Sequence, residues 1–324
     1  MHKIALLAVN AKYIHSSLSV WALASGLTHF AHTEAETVVI EATINQDAEV
    51  IAAEVAAHSP ALVGVSTYIW NAALLPGILS RLRAALPDAV IVLGGPEASF
   101  HADYWLSHGA DYVLRGEGEH SFPALVDVIF SNGSLSDVPG LCRRVDGRVI
   151  AAAEKVMKET PPDPYSPEWF SALKGRIAYI ETSRGCPFSC AFCLSGQEHV
   201  RFFPLARAKE QLLALSRSGA KTVKLVDRTF NCNAQRAYTL FDYIIHMDTD
   251  CCFHFEVAAD LFDARTIALL NSAPPGRIQL EAGLQSFYEP TLQAVTRHTD
   301  LQKVTQNIRS LLSGGNIHIH IDLI

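Results

Sequence analysis

At 324 residues, 49% hydrophobic and 18% charged, the chain can bury a large core and has the length of one large or two medium domains. No apolar run reaches the roughly 18 residues that a spanning helix needs, and KIALLAVN near the start lacks the flanks and cleavage site of a signal peptide. The net charge of −7 lies in the first 150 residues, with 8 basic and 15 acidic side chains against 18 of each in the rest; neither half has the basic footprint of a nucleic-acid binder.

Residues 1–132 alternate strand and helix. KIALLAVN (3–10) reads as a buried strand, followed by a helix through Leu27 with Ser16 and Ser17 as N-caps. TVVIEATI (37–44) is the next strand and AEVIAAEVAA (48–57) the next helix. LVGVSTYI (62–69), AVIVLGG (89–95) and DYVLRGEG (111–118) are three further strands, with helices over about 71–86, 101–108 and 120–131. Near-continuous apolar strands joined by helices predict a parallel sheet covered on both faces, doubly wound and flavodoxin-like, in the order 2-1-3-4-5. Ligands of such sheets sit beyond the carboxyl ends of the strands. Here those ends are NAKYIH (10–15), STY (66–68), GGPE (94–97) and GEGE (116–119), small or polar on one rim.

Residues 133–174 change character. GLCRRVDGRVIAA carries an Asp-Gly between alternating residues, a hairpin signal, and TPPDPYSPEW reads as a linker. From Gly175 the alternation resumes, predicting a second domain over 175–324. Its expected strands are IAYIETS (177–183), TVKLVDRTF (222–230), CFHFEVAA (252–259), RIQLEAGLQ (277–285) and NIHIHIDLI (316–324). Helices fit at about 204–218, 233–246, 263–271 and 301–313. Glu181, Asp227, Glu256, Glu281 and Gln285 fall near the carboxyl ends of these strands, which form the active face of a (β/α) barrel.

The chain holds seven cysteines, an odd number. Without a secretory signal they predict a reducing, cytoplasmic setting and metal binding rather than disulfides. Three of them, Cys186, Cys190 and Cys193, lie within RGCPFSCAFC, in the loop after the first strand of the second domain. Thiolates at this spacing can wrap one iron–sulfur cluster, and three ligands leave one iron open. A zinc knot of the Cys3His kind with His199 is the bland alternative. Cys232 is the geometric rival for a fourth ligand; Cys251 and Cys252 open a strand at the opposite rim, and Cys142 lies in the hairpin.

Cys186-x3-Cys190-x2-Cys193, with Phe192 before the last cysteine, resembles the signature of the radical S-adenosylmethionine (SAM) superfamily. ETSRGCPFSCAFC, VDRTFN, HFE, EAGLQS and IHIDLI are similar to successive strand-end motifs of that barrel. VGVSTY, VLGGPEAS and RGEGE resemble the cobalamin-binding domain of the class that uses both cofactors. The resemblance implies that the three cysteines hold a 4Fe–4S cluster whose free iron is chelated by SAM. It implies that Phe192 packs near the adenine and that Asp227, Arg228 and Thr229 stand at the methionine amino group. This last stretch departs from the Gly-Gly-Glu-like pattern of the family, so only the position carries over. Glu281, Gln285 and Ser286 stand at the ribose or methionine end, or form a polar layer within the barrel, and Glu256 is a further SAM contact.

For cobalamin the resemblance implies contacts from Asn10, His15, Ser66, Thr67, Tyr68, Gly94, Gly95, Pro96, Glu97, Gly116 and Glu117. The Asp-x-His-x-x-Gly motif that supplies a lower axial histidine in many cobalamin proteins is absent; His15 is offset and is expected to line the pocket.

The implied activity is reductive SAM cleavage, coupled through cobalamin to methyl transfer or related radical chemistry on an unknown substrate, with a reductant such as flavodoxin or ferredoxin. A radical SAM enzyme with a vestigial cobalamin domain and a non-catalytic metal-binding or sensing module are the rivals. A methylthiotransferase needs cysteines in its N-terminal domain, and residues 1–132 contain none. The last strand is read as the fifth of a barrel, so the expected second domain is a partial, apparently truncated barrel with an exposed edge.

Overall fold

The computed structural model describes residues 2–131, 133–195 and 199–323. The chain divides into two compact units, one up to Ala172 and one from Leu173 on.

The first unit is built on seven strands, β1 (His2–Asn10), β2 (Ala35–Thr43), β3 (Leu62–Ser66), β4 (Val90–Gly94), β5 (Tyr112–Leu114), β6 (Leu141–Val145) and β7 (Arg148–Ala151). Their order is β2-β1-β3-β4-β5-β6-β7, parallel through β5 and antiparallel after it. β1 lies inside the sheet, between β2 and β3, and Ile4 to Asn10 are all buried. Successive side chains point to opposite faces of a strand. Ala5, Leu7 and Val9 therefore join one core with Ile51, Val55, Ile78 and Leu82 of α2 (Ala48–Ala57) and α3 (Leu75–Ala85). Ile4, Leu6 and Ala8 join the other with Val20, Phe122, Leu125 and Val126, brought by α1 (Leu18–Phe30) and by the last helix of the unit's α/β stretch. Each Val, Leu, Ile or Phe among them contributes on the order of 1.5–3 kcal/mol when fully buried.

Between β4 and β5 lie two short helices, α4 (Pro96–Phe100) and α5 (Ala102–Ser107); α6 (Gly118–Ser131) follows β5. The Asp146–Gly147 pair turns β6 into β7 with φ of 48° and 77°, the two left-handed positions that a type I′ hairpin requires. The hairpin extends the sheet on the β5 side. The proline-rich segment ends in a helix the sequence pattern did not show, α7 (Pro167–Ala172), anchored by the buried Trp169.

The second unit carries β8 (Ala178–Ile180), the short ribbon β9 (Ser183–Arg184) with β10 (Arg201–Phe202), then β11 (Thr222–Leu225), β12 (Cys252–Val257), β13 (Ile278–Gln285) and β14 (His318–Leu323). The five main strands are parallel in the order β14-β13-β12-β11-β8, so β8 and β14 are the edges among the described residues. The helices are α8 (Leu205–Ser216), α9 (Ala234–Ile245), α10 (Ala264–Asn271), α11 (Glu289–Ala294) and α12 (Leu301–Leu312). Asn233, Asp263 and Asp300 cap α9, α10 and α12 by accepting from the backbone N–H three residues on, the usual service of such side chains at a helix start.

One face of this sheet is apolar: Phe253 and Phe255 of β12 are fully buried, and Phe255 lies 4.6 Å from Phe230 and 4.9 Å from Phe241 of α9 between ring centres. The other face is polar, with Lys224, His254, Glu256, Gln279 and Glu281 on alternate positions. No described helix is long and apolar enough to cross a membrane.

Candidate functional site

The cysteine loop leaves the sheet after β8, at the carboxyl ends of the parallel strands. Its entry is fixed by polar contacts. Glu181 and Arg184 form a bidentate pair at 2.8 and 2.6 Å, and Gly185 adopts φ 97°, which only glycine takes without strain. Cys186 and Cys190 are buried and Cys193 is exposed. The Cys186 thiol lies 3.5 Å from the Thr229 hydroxyl, and Cys193 N–H donates to the Cys190 carbonyl at 3.0 Å. The segment after β13 closes on the far side. Ala191 N–H donates to Val295 O at 2.9 Å, the Thr296 hydroxyl donates to Ser189 O at 2.6 Å, and Arg297 Nη1 donates to Cys190 Sγ at 3.6 Å. The Arg297 guanidinium also lies 5.7 Å over the Phe188 ring.

The donor set fits an iron–sulfur cluster: three thiols on one rim loop, with an arginine beside one of them. The sulfurs do not form a closed cage, since among the described residues no three Cys, His, Asp or Glu side chains converge as a metal site. The fit lies in donor chemistry and in the fixed ends of the loop. Of the other cysteines, Cys142 is buried in the core of the first unit. Cys251, its thiol raised to about 11 by burial, and Cys252 open β12 at the opposite end. Cys232 is half-buried, and its thiol is pushed up by burial, then by Cys186 and Asp227. Residues 196–198 lie outside the described residues; His199 is exposed.

Phe192 and Arg228 are exposed, and Ser286 is half-exposed. Gln285 sits at φ 72°, a left-handed conformation rare for its type, with its Oε1 buried and unpartnered. Asp227 corrects the expectation made for it. It is 1% exposed, and its carboxylate accepts from Thr182 N–H, the Thr182 hydroxyl and the Ser183 hydroxyl, so it serves the cysteine loop rather than a ligand on the rim. Burial pushes its pKa up to about 6 against the lowering effect of these donors.

Glu256 and Glu281 lie within a charged network on the polar face of the sheet, which for Glu281 fits the alternative of a polar layer. Lys224 Nζ is 3.1 Å from Glu281 and 3.7 Å from Glu256, and His254 Nε2 is 3.1 Å from Glu281. Burial, with Lys224 second, lowers His254 to about 4; burial raises Glu256 and, to about 12, Tyr179.

On the first unit the carboxyl ends of β1, β3, β4 and β5 meet on one rim. Asn10, Ser66 and Thr67 are buried, and the Thr67 hydroxyl has no hydrogen-bond partner among the described residues. Asn10 Nδ2 donates to Glu41 at 2.9 Å and to His15 O at 3.1 Å. Glu41 also accepts from Ser17 N–H and Trp21 Nε1, so it ties the loop carrying His15 to β2 and α1. Tyr68 is half-exposed and stacks on Trp70 at 4.3 Å, with Ile69 exposed between them. Gly94, Gly95, Pro96 and Glu97 are half-buried and form the turn after β4, with Gly95 at φ 101° packed against the backbone of Thr67. Gly116 is exposed, with the Glu154 side chain beside it, and the half-buried Glu117 accepts from Met157 N–H.

The residues missed in the sequence are Arg297, Thr296, Arg236 and Glu41. None stands in a recognisable spacing; each acts on a loop tens of residues away.

A doubly wound domain followed by a parallel (β/α) domain with Cys-x3-Cys-x2-Cys at its strand ends is the arrangement of a B12 binding domain joined to a radical SAM domain. Residues 4–126 match the B12 binding domain and residues 180–323 the Radical SAM superfamily. The chain thus carries a B12 binding domain followed by a radical SAM domain.

Among curated relatives, hopanoid C-3 methylase of Methylococcus capsulatus is 26% identical over 201 residues, covering 60% of this chain and 39% of that protein. The chain thus spans well under half of that relative. Two solved structures share the fold. The cobalamin-dependent SAM radical enzyme OxsB, with aqua-cobalamin and SAM bound, has a TM-score of 0.83 at 18% identity, over 100% of this chain and 49% of that one. The radical SAM methyltransferase TsrM from Kitasatospora setae, with cobalamin and a [4Fe-4S] cluster bound, has 0.77 at 20% identity, over 99% and 66%.

Proposed function

We propose that this chain is the cofactor-bearing part of a cobalamin-dependent radical SAM methyltransferase. The observation that carries the reading is the Cys186–Cys193 loop, clamped at both ends on the active face, in a chain that also bears a B12 binding domain. The methylase name of the hopanoid relative supports methyl transfer as the reaction class.

Bound together, these cofactors supply the electron that splits the sulfonium of SAM and a methyl group for transfer. The chain's own residues do the rest. Cys186, Cys190 and Cys193 ligate the cluster, and Arg297 sets charge beside Cys190. Phe192 offers a flat exposed face to the adenine, while Arg228, Thr229, Gln285 and Ser286 present polar groups toward SAM. On the first unit, His15, Tyr68 and the Gly94–Glu97 turn line the corrin, with His15 as lining rather than as a cobalt ligand. The protein works in the reducing cytoplasm with a flavodoxin- or ferredoxin-type reductant.

Anaerobic reconstitution with iron, sulfide and hydroxocobalamin tests this. The expected result is a brown protein with a cobalamin absorbance band that forms 5′-deoxyadenosine or S-adenosylhomocysteine from SAM under reduction. SAM cleavage without cobalamin uptake favours the vestigial-domain reading. Metal binding with no SAM turnover favours a sensing module.

A further inference from the structure

We infer that Asp227 is the positioning residue of the cysteine loop; the inference rests on the reading that this loop holds the cluster. The last ladder bond between β11 and β8 is Val226 N–H to Ile180 O, at 2.9 Å. One residue further the backbone ladder stops and the Asp227 carboxylate continues it. Oδ2 accepts from Thr182 N–H at 2.9 Å, and Oδ1 accepts from the Thr182 and Ser183 hydroxyls at 2.7 and 2.5 Å.

Thr182 is thereby satisfied at every polar atom, because its carbonyl accepts from Arg236 Nη2 at 3.1 Å and Phe203 N–H at 3.0 Å. A buried residue with all its groups bonded to fixed partners has little freedom. Thr182 lies four residues before Cys186, and Thr229, two residues after Asp227, meets the Cys186 thiol. One buried carboxylate therefore sets both the start of the loop and the wall against which its first thiol rests.

The geometry also says which substitution is informative. In Asp227→Asn the amide oxygen can still accept from the two hydroxyls, but its NH2 must face Thr182 N–H, a backbone donor that cannot rotate away. A buried donor facing a donor costs enough to open the local structure about tenfold more often. Asn307 offers a control. Its buried amide braces the rim elsewhere, donating to Ala259 O at 2.9 Å and Phe262 O at 3.0 Å.

The test is alkylation of the apoprotein by iodoacetamide, read cysteine by cysteine by mass spectrometry. Asp227→Asn should raise the rate at Cys186 about tenfold, with Cys142 unchanged as the internal reference. Asn307→Ala should leave Cys186 protected at equal overall Tm loss. Thr182→Val, which deletes one donor, should act in the same direction, and Thr182→Ser should restore protection. Equal Cys186 rates in wild type and Asp227→Asn overturn the inference. A rise in Asn307→Ala as large as in Asp227→Asn overturns it too, by making the effect one of general stability. Cluster uptake by the wild type is a separate measurement, so failure of the functional reading shows there and not in the alkylation rates.

Discussion

Arg297 Nη1 donates to Cys190 Sγ at 3.6 Å across 107 residues of sequence, and its other terminal nitrogen donates to Gly283 O at 2.5 Å. A cation bridging the end of β13 to a cluster thiol does two things. It holds the thiol in place, and it places positive charge beside the sulfur, which favours the reduced cluster. Arg297→Met should weaken iron retention about 10-fold under a chelator challenge and lower the reduction potential. Unchanged retention and potential would show the contact to be incidental.

Each of Cys186→Ala, Cys190→Ala and Cys193→Ala should abolish stable iron binding and deoxyadenosine formation. Cys142→Ala should leave iron content unchanged, because Cys142 is 1% exposed in the core of the first unit. It should instead cost about 1–2 kcal/mol of stability through lost packing. Full cluster content in Cys190→Ala would sink the ligand assignment.

The parallel strands were legible because their apolar runs are long and regularly spaced, and the cysteine loop because its chemistry is local. Two limits are physical. The strand expected over 222–230 ends at Leu225, since Asp227 leaves the ladder to serve Thr182. The bond that ends it spans 45 residues and leaves no periodic trace. Arg297 is equally silent: it lies in a short stretch between α11 and α12, and its partner is fixed only once β13 is aligned with β8. Local pattern finds elements; braces between loops depend on register, which pattern does not carry.

Gly95 and Gly94 separate two reasons for glycine on the first rim. A Cβ on Gly95 would stand 2.6 Å from Thr67 O, at φ 101°, so the turns after β3 and β4 could not pack. Gly95→Ala should cost about 1–3 kcal/mol and take cobalamin binding with it. At Gly94 a Cβ meets Leu114 O at 3.6 Å, an ordinary contact. Gly94→Ala should be stable to within about 1 kcal/mol, and reduced cobalamin uptake there reports ligand approach alone. Denaturant melts and cobalamin absorbance read the two effects. Equal destabilisation by both variants would contradict this division.

His254 should make the second unit sensitive to mild acid. It is 7% exposed, and burial with Lys224 lowers its pKa from 6.5 to about 4. The unfolded chain therefore binds a proton near pH 6.5 that the folded chain refuses until about pH 4. Stability from this group is fully present above pH 6.5 and falls as pH drops through that window, by up to about 1.4 kcal/mol per unit. Asp227 opposes it, since burial raises it from 3.8 to about 6: its folded form keeps a proton that the unfolded chain has released, so its contribution falls as pH rises through that range. The difference between wild type and His254→Gln removes this background. All four tryptophans precede the second unit, so fluorescence reports the first. Protection factors for the amides of 252–257, measured by hydrogen exchange between pH 4.5 and 7, report β12 directly. The wild type should lose protection on acidification more steeply than His254→Gln. Parallel curves would mean that the imidazole gains its proton together with the unfolded chain, and that its partnership with Glu281 outweighs its burial.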